Sequence, residues 1–180
     1  MNAYSSKDLA SAFRTVRANT IKIAEEIPEE QYGFRAAEGT RTVAETLAHL
    51  ATTTGWPQAL HGPWVSAVSF DLFMGEMQKS LTAAAALTTK AQLLDALKTE
   101  GEKFAAFLEE FPDEALAEHV TYPAGMQPPS KSRFEMLLSP KEHEMHHRGQ
   151  LMLIERMLGI TPHLTRAMQE RMAQATAQKA

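Results

Sequence analysis

Most of this chain repeats apolar residues at intervals of three and four, the spacing that gathers them on one face of an α-helix. Four long segments carry the pattern, and each is bounded by helix-capping residues, proline or glycine. The segments run from Ser5 or Ser6 to Pro28, from about Thr42 to Trp56, from about Lys90 to Phe111, and from about Phe134 to Leu158. The spacing therefore predicts an all-α fold in which the four segments pack as a four-helix bundle.

The remaining segments give weaker patterns. Residues 70–81 fit a short helix, and the alanines at 83–86 favour helix by propensity. Residues 112–133 carry several prolines and the run Val120–Tyr122, which predicts a long crossover containing one extended piece. Pro162 then begins a polar terminal helix.

The composition limits both the architecture and the partners. A length of 180 residues suits one domain, and we expect residues 1–160 to form the bundle and residues 161–180 a helical extension of the same domain. The 18 basic and 22 acidic residues give a net charge of -4, the wrong sign for binding a phosphate backbone. The N-terminus lacks the apolar core of a signal peptide, and no apolar run approaches the ~20 residues of a membrane span. We therefore expect a cytoplasmic protein that binds neither nucleic acid nor a membrane.

Histidine dominates the metal-binding chemistry open to this chain. The sequence has no cysteine, which excludes disulfides, thiolate ligands and a cysteine nucleophile. Any bound metal must therefore be held by histidine or carboxylate side chains. Seven histidines are present, and three of them fall within five residues, at positions 143, 146 and 147.

His143 and His147 are one helical turn apart. Their row continues into Leu151 and Ile154, on the apolar stripe that a bundle buries. Two imidazoles side by side on a buried face risk unsatisfied polar atoms unless they share an ion, so we predict that they are two ligands of one metal. His146 lies at the flank of the stripe and ranks below the other two.

A tight site needs a third ligand from another helix, and the spacing alone does not single one out. His49 stands at the polar edge of the apolar face of its helix. His61, His119 and His163 fall in or near predicted loops, where we expect them to be exposed. The alternative for any one histidine is an ordinary core residue, hydrogen-bonded to a carboxylate or a carbonyl.

The segment from His143 to His147 also matches the H-E-x-x-H pattern of zinc peptidases, in which Glu144 would be the general base. Two features weigh against this interpretation. Gln150 stands where the extended pattern requires glycine, and the chain has no convincing strand on which an extended substrate would align. A peptidase is therefore the weakest of the enzymatic interpretations.

Three segments together resemble a known family. They look like segments of the DinB/YfiT-like proteins: Thr42-Val-Ala-Glu-Thr-Leu-Ala-His49-Leu in the second helix, His143-Glu-Met-His-His147-Arg-Gly-Gln150-Leu in the last helix, and the following Glu155-Arg-Met-Leu-Gly159. The resemblance implies a four-helix bundle in which one histidine of the second helix and the H-x-x-x-H pair of the last helix bind a divalent metal. In this chain those residues are His49, His143 and His147.

The resemblance also implies a class of reaction. Members of the family with known activities are similar to metal-dependent thiol transferases, which activate a low-molecular-weight thiol and add it to an electrophile. We therefore expect a thiol transferase or hydrolase that acts on a small molecule, with the segment from Tyr122 to Pro129 shaping its pocket. Zinc or nickel is the expected ion, with iron and copper as alternatives. The resemblance further implies a homodimer. Two alternatives stay open: a non-catalytic metal-binding bundle, and an interaction protein whose histidines are core residues.

Overall fold

A computed structural model describes residues 4–178 of the chain. Within this range the chain forms seven α-helices: α1 (Ser6–Glu26), α2 (Val43–Thr52), α3 (Gly55–His61), α4 (Phe70–Ala85), α5 (Lys90–Glu110), α6 (Arg133–Met157) and α7 (His163–Ala177). Two short strands, β1 (His119–Thr121) and β2 (Ser130–Ser132), pair antiparallel between α5 and α6. No helix in the described range is long and apolar enough to cross a membrane.

Helices α1, α2, α5 and α6 form the four-helix bundle, which confirms the predicted fold class. Helix α1 packs against α5 and α6, and α2 packs against the same two helices. A reciprocal capping box begins each of the four bundle helices: Ser5 with Asp8, Thr42 with Glu45, Thr89 with Gln92 and Ser132 with Glu135. Each box satisfies backbone N–H groups that the first helical turn leaves without partners, which fixes where the helix begins.

Along the bundle the apolar core has two main parts, and a smaller third cluster joins α3, β1 and α6. One part is centred on Ile23, Leu47 and Leu151, and the other on Phe13 and Phe104. Between them on α1 lies Arg17, whose side chain is buried. A Cβ atom on Gly101 of α5 would lie 2.9 Å from the Arg17 Cγ atom, so the absence of a side chain at Gly101 makes room for the arginine.

The second predicted helix is interrupted. Helix α2 ends at Thr52, and the shorter α3 begins at Gly55, so the prediction of one helix from Thr42 to Trp56 was wrong. Pro57 lies in the first turn of α3, where a missing N–H removes no helical hydrogen bond. Proline at this position therefore belongs to a new helix and does not mark the end of the preceding one.

The segments with weaker sequence patterns also form regular secondary structure. The short helix predicted at 70–81 and the alanines at 83–86 are one helix, α4, capped by Ser69. This helix packs against α2 and α3 and buries none of its residues fully. The crossover contains a 3-10 turn and two paired strands, whereas the sequence predicted a single extended piece. The second strand, Ser-Lys-Ser, has no apolar pattern from which it could be predicted.

Helix α7 begins after Pro162, as predicted. Three polar contacts connect it to the bundle: Arg166 Nη2 lies 2.6 Å from Glu26 Oε1, His163 Nε2 lies 3.1 Å from Asn19 Oδ1, and Arg156 donates to the hydroxyl of Thr165 at 2.9 Å. None of its described residues is fully buried.

Candidate metal centre

His49, His143 and His147 meet beside the middle of α6, where the C-terminal half of α2 packs against it. The Nε2 atom of His143 lies 3.0 Å from Nε2 of His49 on α2 and 3.2 Å from Nε2 of His147, one turn along α6. The ligand atoms of the three side chains all lie within 4.8 Å of one another. The structure therefore brings together the three residues that the family resemblance selects.

The spacing and the chemistry of these nitrogens fit a divalent ion. Bonds of about 2.0 to 2.1 Å at tetrahedral angles would place neighbouring ligand nitrogens about 3.3 Å apart. A neutral ring nitrogen carries either one proton or one lone pair, so Nε2 of His143 can make one ordinary hydrogen bond but not two. A cation accepts all three lone pairs at once, which removes that conflict.

The surroundings keep the three imidazoles neutral. Burial, followed by the positive charge of Arg41, lowers the pKa of His49 to about 4. Burial and the neighbouring histidines likewise lower the pKa of His143 to about 4, and burial lowers the pKa of His147. A neutral imidazole keeps the lone pair that a metal requires, so the centre is ready to bind a cation at neutral pH.

Gln150 determines which nitrogen of His147 carries the proton. Its Oε1 atom lies 2.7 Å from Nδ1 of His147, and because an amide oxygen only accepts, Nδ1 must donate. The lone pair of His147 is therefore on Nε2, which faces the other two histidines. The amide nitrogen of Gln150 donates to Nε2 of His146 at 3.1 Å, and His146 is exposed outside the cluster.

Directly behind the histidines, Arg17 and Glu144 form a buried ion pair. The Nε atom of Arg17 lies 2.9 Å from both carboxylate oxygens, and the two residues are only 4% and 1% exposed. The same guanidinium donates to the carbonyl of Leu97 on α5 at 2.9 Å and to that of Leu50 on α2 at 3.0 Å. The Arg17 side chain of α1 therefore contacts the other three bundle helices. Its partners on α2 and α6 are adjacent in sequence to His49 and His143.

This ion pair also decides the role of Glu144. In a peptidase of the H-E-x-x-H type the glutamate must reach a water molecule beside the metal. Here both carboxylate oxygens are bound by Arg17 in the core, on a different side of α6 from the triad. Glu144 is a structural residue in this arrangement, and the general-base role considered for it is wrong.

Sequence reasoning missed both Gln150 and Arg17. Gln150 belongs to the motif that resembles the family and departs from the peptidase pattern, but neither pattern predicts its contact with His147. A signal for Arg17 was present, because it follows Phe13 by one helical turn and precedes Thr20 on the inner face of α1. A charged residue on a buried stripe needs a partner of opposite charge, which Glu144 provides.

A cleft of about 690 Å³ opens beside His49 and His143. Its apolar walls include Trp56, Phe73 and Met136, and Pro140 of α6 lines it one turn before the histidine pair. Tyr122 also lines it, as predicted, but the rest of the predicted wall as far as Pro129 does not, although that segment is described throughout. Helix α4 provides the wall instead, since the crossover folds into its own hairpin.

Two of the other histidines are not where the sequence placed them. His61 is fully buried at the end of α3, with Nδ1 2.9 Å from Nη1 of Arg133, and burial lowers its pKa to about 4. His163 is partly buried against Asn19. Both were expected to be exposed, because neither α3 nor the packing of α7 on α1 was predicted from the sequence. His119 is exposed, as expected.

Comparison with known proteins agrees with this geometry. The family model of the DinB superfamily matches residues 12–151. The Bacillus subtilis protein YjoA is 26% identical over 161 residues, which cover 87% of this chain and 92% of YjoA. The crystal structure of YjoA, a DinB-like protein, superposes with a TM-score of 0.63 at 24% identity and covers 85% of this chain and 93% of YjoA.

Two further structures share the fold at lower identity. Bacillus subtilis YfiT, described as a probable metal-dependent hydrolase with an unusual four-helix bundle topology, has a TM-score of 0.65 at 15% identity, over 89% of this chain and 91% of YfiT. A mycothiol-dependent maleylpyruvate isomerase has a TM-score of 0.59 at 14% identity, over 81% of this chain and 60% of the isomerase. The matched region covers most of the bundle and includes all three histidines, so the chain belongs to the DinB superfamily.

Proposed function

We propose that this protein is a divalent-metal-dependent enzyme acting on a small molecule, with His49, His143 and His147 as the protein ligands. The observation that carries the proposal is the convergence of three neutral imidazoles beside a cleft of about 690 Å³. A purely structural metal site is closed by four protein ligands, whereas catalytic sites typically have three and keep a position open.

The comparisons support a thiol transferase or hydrolase as the reaction class. YfiT is described as a probable metal-dependent hydrolase, and the isomerase with the same fold depends on mycothiol, a small thiol. A divalent ion would supply Lewis acidity, which lowers the pKa of a bound thiol or water. Zinc and nickel are the proposed ions, because both bind imidazole readily.

The chain itself contributes positioning. Gln150 holds the ring of His147 with its Nε2 lone pair toward the centre, and the Arg17–Glu144 pair fixes α2 and α6 beside each other. Trp56, Phe73 and Met136 give the cleft an apolar wall that shields part of a bound molecule from water. None of these residues exchanges protons with a substrate in this proposal.

Elemental analysis of protein purified without a polyhistidine tag tests the metal site. We expect about one zinc or nickel ion per wild-type chain, loss of the ion in His49→Ala, and retention in His146→Ala. His146 is the matched control, since it is a histidine of α6 that lies outside the cluster. A wild-type chain that stays metal-free after reconstitution with both ions would contradict the proposal and favour an interaction protein.

Turnover distinguishes an enzyme from a non-catalytic metal-binding bundle. The metal-loaded protein is expected to consume a small thiol in the presence of 1-chloro-2,4-dinitrobenzene, or to hydrolyse small esters or amides, and His49→Ala is expected to do neither. Full metal content without turnover across such panels would support the non-catalytic alternative.

The homodimer, the cytoplasmic location and the assignment of residues 161–180 to the same domain stay predictions. Light scattering in solution tests the homodimer.

A further inference from the structure

Arg41 lies at the edge of the cleft, immediately before the residue that caps α2. It lines the cleft together with His49 and His143, and it also lines a second depression that His49 shares. Its backbone position is well fixed. The neighbouring Thr42 pairs with Arg35 in an isolated β-bridge and caps α2 through its side chain. The local fold therefore fixes the backbone from which the Arg41 side chain reaches the cleft.

Arg41 differs from the other charged residues that line the cleft. Lys79 pairs with Glu76 at 2.5 Å, and Glu100 pairs with Lys103 at 3.7 Å. Among the described residues, no carboxylate lies within ion-pair distance of Arg41, and its side chain is exposed. Arg41 thus makes no ion pair in this part of the chain, and the one carboxylate on which its charge is seen to act, that of Glu45, is already paired with Arg35.

We propose that Arg41 binds a carboxylate of the small molecule that occupies the cleft, an inference that rests on the proposed function of the site. A guanidinium group matches a carboxylate with two parallel hydrogen bonds, a geometry that lysine cannot reproduce. The substrate class is therefore a small molecule that combines an apolar body with an anionic end.

The charge balance of the site supports this inference. The three histidines contribute no negative charge, so a divalent ion among them would repel Arg41, and the Glu45 carboxylate that also acts on Arg41 is shared with Arg35. An anion between the two cations reverses this repulsion.

The walls of the cleft account for the apolar part of the ligand. Trp56 and Phe73 pack edge to face with ring centroids 5.5 Å apart, and Met136 lies on the α6 side of the same space. An aromatic or aliphatic body placed against these side chains would leave its polar end toward the histidines and Arg41. A molecule of this kind is matched by 3-phenylpropionate, which we choose as the probe.

The experiment measures binding of 3-phenylpropionate and of its neutral amide to metal-free and zinc-loaded protein by calorimetry. In both forms the wild type is expected to prefer the acid by about fivefold, the effect of a partly exposed charged pair. Arg41→Gln should reduce the preference to less than about twofold, and Arg41→Lys should retain part of it. Lys98→Gln is the matched control, because it removes the same charge from an exposed ion pair outside the cleft.

The metal-free measurement separates this inference from the proposed function. A preference for the acid that depends on Arg41 in metal-free protein supports the inference even if the chain retains no ion. Equal binding of acid and amide by the wild type, no binding of the acid, or a preference that survives Arg41→Gln would each overturn it. Metal content, measured separately, decides the proposed function alone. Circular dichroism of each variant confirms that the bundle is folded.

Discussion

Among the residues of the candidate centre, Gln150 shows how a neighbour prepares a ligand. Of the three histidines, Gln150 contacts His147, and its carbonyl oxygen fixes the His147 proton on Nδ1, the nitrogen that points away from the centre. Partners of this kind commonly affect metal affinity nearly as much as the ligands do. His146 accepts a hydrogen bond from the amide nitrogen of Gln150, so it is the residue with which His147 can be compared.

Substituting Gln150 tests this role. Gln150→Ala is expected to weaken zinc binding by about 10-fold, the lower end of the range for such partners, because the amide is neutral and exposed. Competition with a chromogenic chelator measures the affinity. His146→Ala removes the other end of the same hydrogen-bonded chain and should change the affinity far less. Equal effects of the two substitutions would show that Gln150 does not orient His147.

The residues of the site were predictable to different degrees. His143 and His147 could be paired from their spacing, because residues four apart on a helix share a face. His49 could be placed only through the family resemblance, since periodicity describes one helix at a time and does not say which helices meet. Arg17 contacts three other helices, and Gln150 determines which nitrogen of His147 is protonated. A hydrophobic pattern reports neither kind of contact. His61 was misplaced because α3 itself was not foreseen.

Among the elements, the Arg17–Glu144 pair is the contact that holds the four bundle helices in register near the site. Removal of one partner leaves an uncompensated charge in the core, whereas removal of both leaves space that apolar side chains can fill. The element boundaries that the sequence predicted well are those with capping boxes. The break between α2 and α3 was not predicted, because Pro57 was interpreted as the end of one helix and not as part of the first turn of the next.

Urea denaturation of the metal-free protein tests this contact. Glu144→Gln is expected to lower the free energy of unfolding by about 3 kcal/mol, and the double substitution Arg17→Met with Glu144→Leu should recover most of the loss. Arg14→Met is the control on the same helix. It breaks partly exposed pairs with Glu102 and Glu109, which should cost less than about 1 kcal/mol. A folded and equally stable Glu144→Gln protein would contradict the structural role of this glutamate.

At the scale of the whole molecule, a buried carboxyl group lies where the C-terminal helix joins the bundle. Glu155 of α6 is fully buried near Glu26 and Arg166, and neither of its carboxylate oxygens has a hydrogen-bond partner among the described residues. Burial, with a smaller contribution from the charge of Glu26, raises the pKa of Glu155 to about 7. The folded chain therefore holds this carboxyl group in its neutral form at mildly acidic pH.

The sign of the pH effect follows from linkage. Because the pKa of Glu155 is higher in the folded than in the unfolded chain, its contribution to stability is full below its ordinary pKa and is lost as the pH rises through 7. Glu155→Gln, which stays neutral, should therefore be more stable than the wild type at about pH 8 and gain little at about pH 5. Thermal unfolding at the two pH values measures this.

Glu142→Gln provides the comparison for the pH experiment, since it removes an exposed carboxylate from the same helix. Its difference from the wild type should be small and similar at the two pH values. A Glu155→Gln protein that shows no greater advantage at the higher pH would contradict the assignment of a neutral carboxyl group at this position.

Helix α4 lines the cleft but contributes no fully buried residue to the core, so the α4 residues that shape the cleft differ from those that stabilise the fold. The helix forms one wall of the cleft, yet it buries none of its side chains fully, whereas the histidines stand on helices that make the core. Residues such as Phe73, Met77 and Leu81 can therefore change without loss of the packing that the bundle needs to fold. In evolutionary terms, the lining of the cleft can diverge quickly in this architecture while the helices that carry the three histidines are constrained by the packing of the core.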